Sequence, residues 1–149
     1  MPSDVPLVAG SNLQVSRRVA RQFVGDEAFE RALAVLTAEE RAAYMESTVL
    51  SWVPVAMIDR AMEEIARAAR IPAEELVVHV TRVSQEEMLH TIYRILMRIT
   101  TDEALIGRTN TFYSKVYDTG SLSSEFPSPG RANVTLTGWP GIPSLQITA

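Results

Sequence analysis

The sequence predicts an α+β, helix-rich fold in which about five to six helices are followed by a C-terminal antiparallel β-hairpin packing on them. Two observations predict it. As far as Val116, apolar residues recur at spacings of three and four, the signature of one helix face. Beyond Gly120 they alternate with polar residues at period two, the signature of a strand with one covered face. A third observation bounds the answer. A chain of 149 residues is the usual size of one domain, so 1–149 reads as a single domain, with 1–12 as a loop or short strand.

Each element has its own punctuation. Val15, Val19 and Phe23 fall four apart on a first helix that starts near Ser16 and that Gly25 stops in a left-handed cap. Asp26 reads as the N-cap of a second helix with Phe29, Leu33 and Leu36 as its buried stripe. Thr37 and Glu40 have the spacing of a capping box and start a third. Pro54 fits the first turn of a fourth, where its missing donor costs nothing. That helix buries Val55, Ile58, Met62, Ile65 and Ala69 and turns Asp59, Arg60, Glu63, Glu64, Arg67 and Arg70 to solvent. Pro72 marks the next boundary. Met88, Ile92, Ile95 and Ile99 make the following stretch helical, while residues 76–83 are β-branched enough to read as strand; the acidic start after Pro72 favours helix. A second capping-box spacing, Thr100 to Glu103, opens a helix carrying Leu105, Phe112 and Val116 and ending at Gly120. The hairpin follows. Leu122 and Phe126 lie on one strand, Ala132, Val134 and Leu136 on the other, and Pro129 and Gly130 form the turn. A lone hairpin is marginal in water, so it must pack on the helices or pair with other strands: one near Leu7 to Ala9, one from a second subunit, or a continuation of the sheet in further chain.

Composition excludes several function classes. The chain is 46% hydrophobic and 21% charged with net charge −4, and its thirteen arginines and one lysine are interleaved with acids. Nucleic acid is not an expected partner. Without cysteine there is no disulfide framework, thiolate nucleophile or zinc ribbon. No segment reaches the roughly 18 apolar residues of a membrane span, and the N-terminus lacks a leader pattern, so a cytoplasmic address is expected.

No catalytic signature emerges. His79 and His90, on one continuous helix, lie about 16 Å apart, too far to share a metal. Glu87-x-x-His90 has the spacing of carboxylate-bridged metal bundles but occurs once, where two are needed. His79 lies among apolar residues, a setting that suits an axial haem ligand but more commonly a satisfied core histidine. The serines after Gly120 have no nucleophile elbow around them, and no phosphate-binding glycine pattern is present. Neither a catalytic residue, a metal site nor a cofactor is therefore expected. Trp52, His90, Tyr93, Phe112 and Tyr117 place large side chains near the helix-to-hairpin junction and are the candidate pocket wall. Tyr113, Phe126 and Trp139 add to the aromatic content there.

Gly25 after an aromatic residue, Trp52-x-Pro54 at a helix start, Tyr117-x-x-Gly120 and Pro129-Gly130-x-Ala132 leading an alternating strand to Gly138-x-Pro140 together cover most of the chain from Gly10. In this order they resemble an uncharacterised family abundant in myxobacteria, itself distantly similar to the haem-NO-binding and 4-vinyl-reductase-like ligand domains. The resemblance implies a regulatory or sensory domain without enzymatic activity. Such a domain would hold a small apolar ligand and signal through a protein partner or homo-oligomer. It also implies further strands beyond Pro140, so a chain ending at Ala149 is either naturally short or shortened and leaves a hairpin edge for a partner. Haem does not follow from the resemblance, because the sequence around Tyr113 lacks the Tyr-x-Ser-x-Arg motif of the haem-binding relatives. The alternative expectation is an assembly module that pairs through the hairpin edge. A haem or metal enzyme is the least supported.

Overall fold

A computed structural model describes residues 5–96 and 101–138; at 88, 89, 91–96, 102 and 105 the description covers the backbone. In chain order the elements are β1 (Leu7–Ala9), α1 (Gly10–Val24), α2 (Asp26–Val35), α3 (Ala38–Met45), β2 (Trp52–Pro54), α4 (Val55–Ala69), α5 (Ala73–Leu96), α6 (Asp102–Ile106), α7 (Thr109–Val116), β3 (Ser121–Ser128) and β4 (Arg131–Thr137). The architecture is the predicted helix-rich α+β one, with the hairpin β3–β4 packed against α7. The last predicted helix is divided in two near Gly107 and stops at Val116 rather than Gly120.

The N-terminus differs most from expectation. Residues 7–9 form the short strand, but Gly10 already begins α1, so the helix starts well before Ser16. β1 pairs antiparallel with β2, Leu7 opposite Pro54 and Val8 opposite Val53, and not with the hairpin. Pro54 accordingly closes a strand and caps α4 from outside instead of occupying its first turn. A single bridge from Val8 to Tyr117, with Leu7 N–H donating to Asp118 Oδ1 at 2.6 Å, ties the same strand to the end of α7.

Two helix starts show how local chemistry sets boundaries. Thr37 Oγ1 accepts from the Glu40 N–H at 3.2 Å while Glu40 Oε2 accepts from the Thr37 N–H at 2.8 Å, the reciprocal pair that the spacing predicts. Asp26, by contrast, is the first helical residue and makes no cap bond; Gly25 is the N-cap, and Asp26 pairs instead with Arg21 at 2.6 Å. Gly25 has φ 85 but ψ 157, so α1 ends on a positive-φ glycine outside the left-handed helical region. Thr100 lies outside the described residues; the bond at the head of α6 comes from Thr101, whose Oγ1 accepts from the Ala104 N–H.

Residues 76–83 are helical, because Leu76 and Val80 lie one turn apart and both are buried. Tertiary burial overrides the weak strand preference of branched side chains. The main core lies between α1, α2, α4 and α5 around Phe29, Leu33, Tyr44, Ile65 and Leu76. A smaller one lies beneath β1 and β2 around Val8, Leu13, Val53 and Val55, with Val116 and Tyr117 against it. The predicted polar face of α4 is not wholly solvated. Glu64 is 3% exposed and pairs with both Arg60 and Arg67.

The hairpin is less buried than its alternation suggests. Leu122, Ser124, Ala132, Val134 and Leu136 are half-covered and Phe126 is exposed, so no hairpin side chain is buried. It is held partly by polar contacts: Ser124 Oγ donates to the Ile106 carbonyl at 3.0 Å, and the Leu122 N–H donates to Asn110 Oδ1 at 2.8 Å. The turn has Gly130 at φ 74 after Pro129, and the register shifts between Glu125 and Ser128. Among the described residues both outer edges of this two-stranded sheet are unpaired.

Candidate functional site

The seam between the two cores holds a cavity of about 140 Å³. α1 contributes Asn12, Leu13 and Ser16, residues one turn apart on a helix and therefore on one face. α4 contributes Val55, Ile58, Asp59 and Met62 by the same spacing. α5 adds Val77, Val80, Thr81, Ser84 and Gln85, and Val8, Tyr44 and Tyr117 close the remaining sides. The wall is mostly apolar with a few polar groups at fixed places, the usual make-up of a small-molecule site.

Its polar groups divide into satisfied and unsatisfied ones. Asn12 Nδ2 donates to Tyr117 Oη at 3.1 Å, and Ser16 Oγ donates to the Asn12 carbonyl at 2.9 Å. Tyr44 is fixed from behind, because Arg17 donates to the Tyr44 and Met45 carbonyls at 2.7 and 2.6 Å. Yet Tyr44 Oη and Ser84 Oγ, on residues 0% and 3% exposed, have no hydrogen-bond partner in the protein. A buried hydroxyl left without a partner costs about 1–3 kcal/mol. Two on one cavity mark a place where a polar guest, or water, completes the structure.

Electrostatics sharpen the picture. Burial pushes the Tyr44 hydroxyl well above the ordinary phenol range, with Arg17 opposing, so it stays protonated and able to donate. Burial likewise raises Tyr117; the Asn12 bond works against that and the nearby Asp59 charge works with it. Asp59 is raised by burial first and then by Glu63. Among the described residues its carboxylate has no hydrogen bond or ion pair, and no Arg, Lys or His lines the cavity.

A stability prediction follows from Asp59. A carboxyl whose folded pKa lies above its unfolded one holds its proton longer in the native state. Between the two values the native state therefore binds more protons, and stability falls as pH rises through that window. Above the window the full cost is present. Asp59→Asn is expected to melt a few degrees higher than wild type at pH 7 and to lose that advantage at pH 4. A variant that melts lower at pH 7 would show the charge to be favourable.

The sequence-stretch candidates scatter. Tyr117 lines the cavity, but Trp52 and Phe112 are 48% and 41% exposed and lie outside its described lining, and His90 is exposed. The side chains of Tyr93 and of Met88, Ile92 and Ile95 lie outside the described residues, as do Ile99, Trp139 and Pro140. His79 is half-buried with its ring stacked on Phe23 at 3.8 Å, away from the cavity. Glu87 is engaged by Arg18 across from α1. Among the described residues no group of three or more His, Asp or Glu side chains is placed to hold a metal.

The residues that size alone overlooks are Asn12, Tyr44, Asp59 and Ser84. One of them had a signal: Ser84 continues the stripe Leu76, Val80 by a further four residues, a polar side chain on a buried face. A second, larger hollow of about 850 Å³ lies between the α1–α2 joint and the end of α4. It is a wide surface concavity, and its Arg31 is already taken by Glu27 and by the Ala68 carbonyl at 2.8 and 3.0 Å. Among the described residues no helix is long and apolar enough to cross a membrane. No protein-family model matches the chain, and neither the curated proteins nor the solved structures contain a match to it.

Proposed function

We propose that the chain is a non-enzymatic regulatory domain that holds a small ligand in the cavity at the seam of its two cores and acts through association with a protein partner. The observation that carries the ligand part is the pair of buried, unpartnered hydroxyls, Tyr44 Oη and Ser84 Oγ, on a single cavity. The resemblance to an uncharacterised family, itself distantly similar to haem-NO-binding and 4-vinyl-reductase-like ligand domains, points the same way by analogy. Tyr117 supplies the link to association. It is the one described lining residue from beyond α5, and it lies four residues before β3, so a change at the cavity bears on the segment that leads into the hairpin.

Thermal melting against a panel of small molecules tests the ligand part. Compounds that fit raise Tm in a concentration-dependent way, because whatever binds only the native state stabilises it. Ser84→Leu, which puts a larger side chain into the same space, is expected to abolish the response. A panel without any stabilising compound, or a response that survives in Ser84→Leu, rejects the reading.

The unpaired outer edges of β3 and β4 favour a second reading, an assembly module that joins another chain by adding a strand. Sedimentation velocity decides it for self-association: a protein that stays monomeric at several hundred micromolar does not pair with itself through that edge.

A further inference from the structure

The ligand-binding reading leaves open the chemistry of the ligand, and the polar lining narrows it. Asp59 is the one carboxylate among the described lining residues, and no cationic side chain stands opposite it. A carboxylate accepts hydrogen bonds and donates none, and a half-buried one without a partner is costly unless a cation joins it. Tyr44 and Ser84 both line the same space, and each carries a buried hydroxyl oxygen without a hydrogen-bond partner in the protein. An ammonium group has three donors and no acceptor. One carboxylate and two hydroxyl oxygens match that count. Two tyrosines also line the cavity, and aromatic rings attract cations. An anion would meet Asp59 with Glu63 behind it, and a neutral guest, even one that donates a hydrogen bond, would leave the carboxylate's charge uncompensated.

Size sets the other limit. A cavity of about 150 Å³ holds benzene, so a space of about 140 Å³ admits a guest of roughly six non-hydrogen atoms. The apolar wall formed by Leu13, Ile58, Met62 and Val80 suits a short hydrocarbon tail.

Resting on the ligand-binding reading, we infer that the cavity takes a small primary ammonium ion with a short apolar tail, its charge met by Asp59 and its N–H groups by the hydroxyl oxygens of Tyr44 and Ser84. The test uses the whole chain at pH 7.5 with n-butylammonium chloride, potassium chloride at equal ionic strength, sodium butyrate and 1-butanol. n-Butylammonium is expected to raise Tm by about 3 °C at tenfold excess over its Kd. Potassium chloride and butyrate should give no such rise. Asp59→Asn should weaken the response at least tenfold. In ¹H–¹⁵N spectra of the wild-type protein the amine should move the amides of residues 44, 59 and 84, which keeps the test decisive should the variant not fold.

An equal rise with 1-butanol, or an undiminished one in Asp59→Asn, overturns the cationic assignment while ligand binding stands. An equal rise with potassium chloride reduces the effect to an inorganic ion and overturns it too. Silence from all four probes, in melting and in the spectra, leaves a cavity that holds water only and rejects both the assignment and the reading beneath it.

Discussion

Replacing Gly10 by alanine is expected to lower Tm by about 10 °C, an effect on the order of 3 kcal/mol. Gly10 is the first residue of α1 and its N–H donates to the Ser51 carbonyl at 2.8 Å. That contact presses the helix start against the turn at 48–51. A Cβ at position 10 would stand 1.9 Å from the Thr48 carbonyl oxygen and 3.0 Å from its carbon, both backbone atoms that no rotamer change can move away. The turn is itself knitted: the Thr48 N–H donates to Ser51 Oγ at 3.0 Å and the Ser51 N–H to the Thr48 carbonyl at 3.0 Å. Alanine must therefore push α1 off the turn. In doing so it breaks the Gly10 bond and strains the β1–β2 pairing that begins one residue earlier. Ser11→Ala, at an exposed neighbour, is the matched control and should melt within a degree or two of wild type. A Gly10→Ala variant as stable as that control would disprove the close approach.

Phe29→Ala is expected to cost about 3–5 kcal/mol, the range for emptying a buried aromatic site. The side chain is 1% exposed, its ring centroid lies 6.3 Å from that of Tyr44, and the Arg21 guanidinium carbon sits 5.5 Å above it. It occupies the layer where α2 meets α4, beside Leu33 and Ile65, which are equally buried. A truncation there leaves a void that packed helices cannot close. Urea unfolding should show a lower midpoint with an unchanged slope, the mark of lost stability without a changed unfolded state. Val35→Ala on the same helix, at a side chain 60% exposed, should stay within about 0.5 kcal/mol of wild type. A loss below about 1 kcal/mol for Phe29→Ala would place the core elsewhere.

These two sites also show what a sequence can and cannot display. Phe29 and Leu33 are visible in advance, because helical spacing is a local property and burial follows from it. The Thr37 capping box is visible for the same reason. Gly10 is not. A glycine in the sequence does not say whether it is needed for turn conformation or for clearance, and here the clearance is from a turn nearly forty residues away. The pairing of β1 with β2 is likewise a choice among possible partners that periodicity does not rank.

The candidate site was hidden by a different cause. Size and aromaticity favoured Trp52 and Phe112, but a small cavity is lined by what leaves space, here Asn12, Asp59 and Ser84. Polar residues beside an apolar stripe read as solvent-facing, and both Asp59 and Glu64 depart from that rule in opposite ways. Glu64 is buried and fully paired, whereas Asp59 is half-buried without an ion pair among the described residues. Glu64 has an arginine one turn away on either side in α4 itself, Arg60 and Arg67, whereas Asp59 has Val55, Ala56, Met62 and Glu63 at those positions. The pairing is local and legible in the sequence; what is tertiary is how far each carboxylate is buried.

The short strand β1 has a bearing on the order in which the chain folds. Its contacts are among the most distant in sequence: Leu7 reaches Asp118 across 111 residues, and Asn12 just beyond it reaches Tyr117 across 105. Closing loops of that length costs chain entropy that only an already formed framework repays, while the α2–α4 layer closes over far shorter loops. The helical layer is therefore expected to form first and β1 to dock late against β2 and the end of α7. Because Val8 and Tyr117 both line the cavity, its closing side is expected to be completed late in folding and to open early, which hydrogen exchange at residues 8 and 117 would show as weaker protection than in the α2–α4 layer.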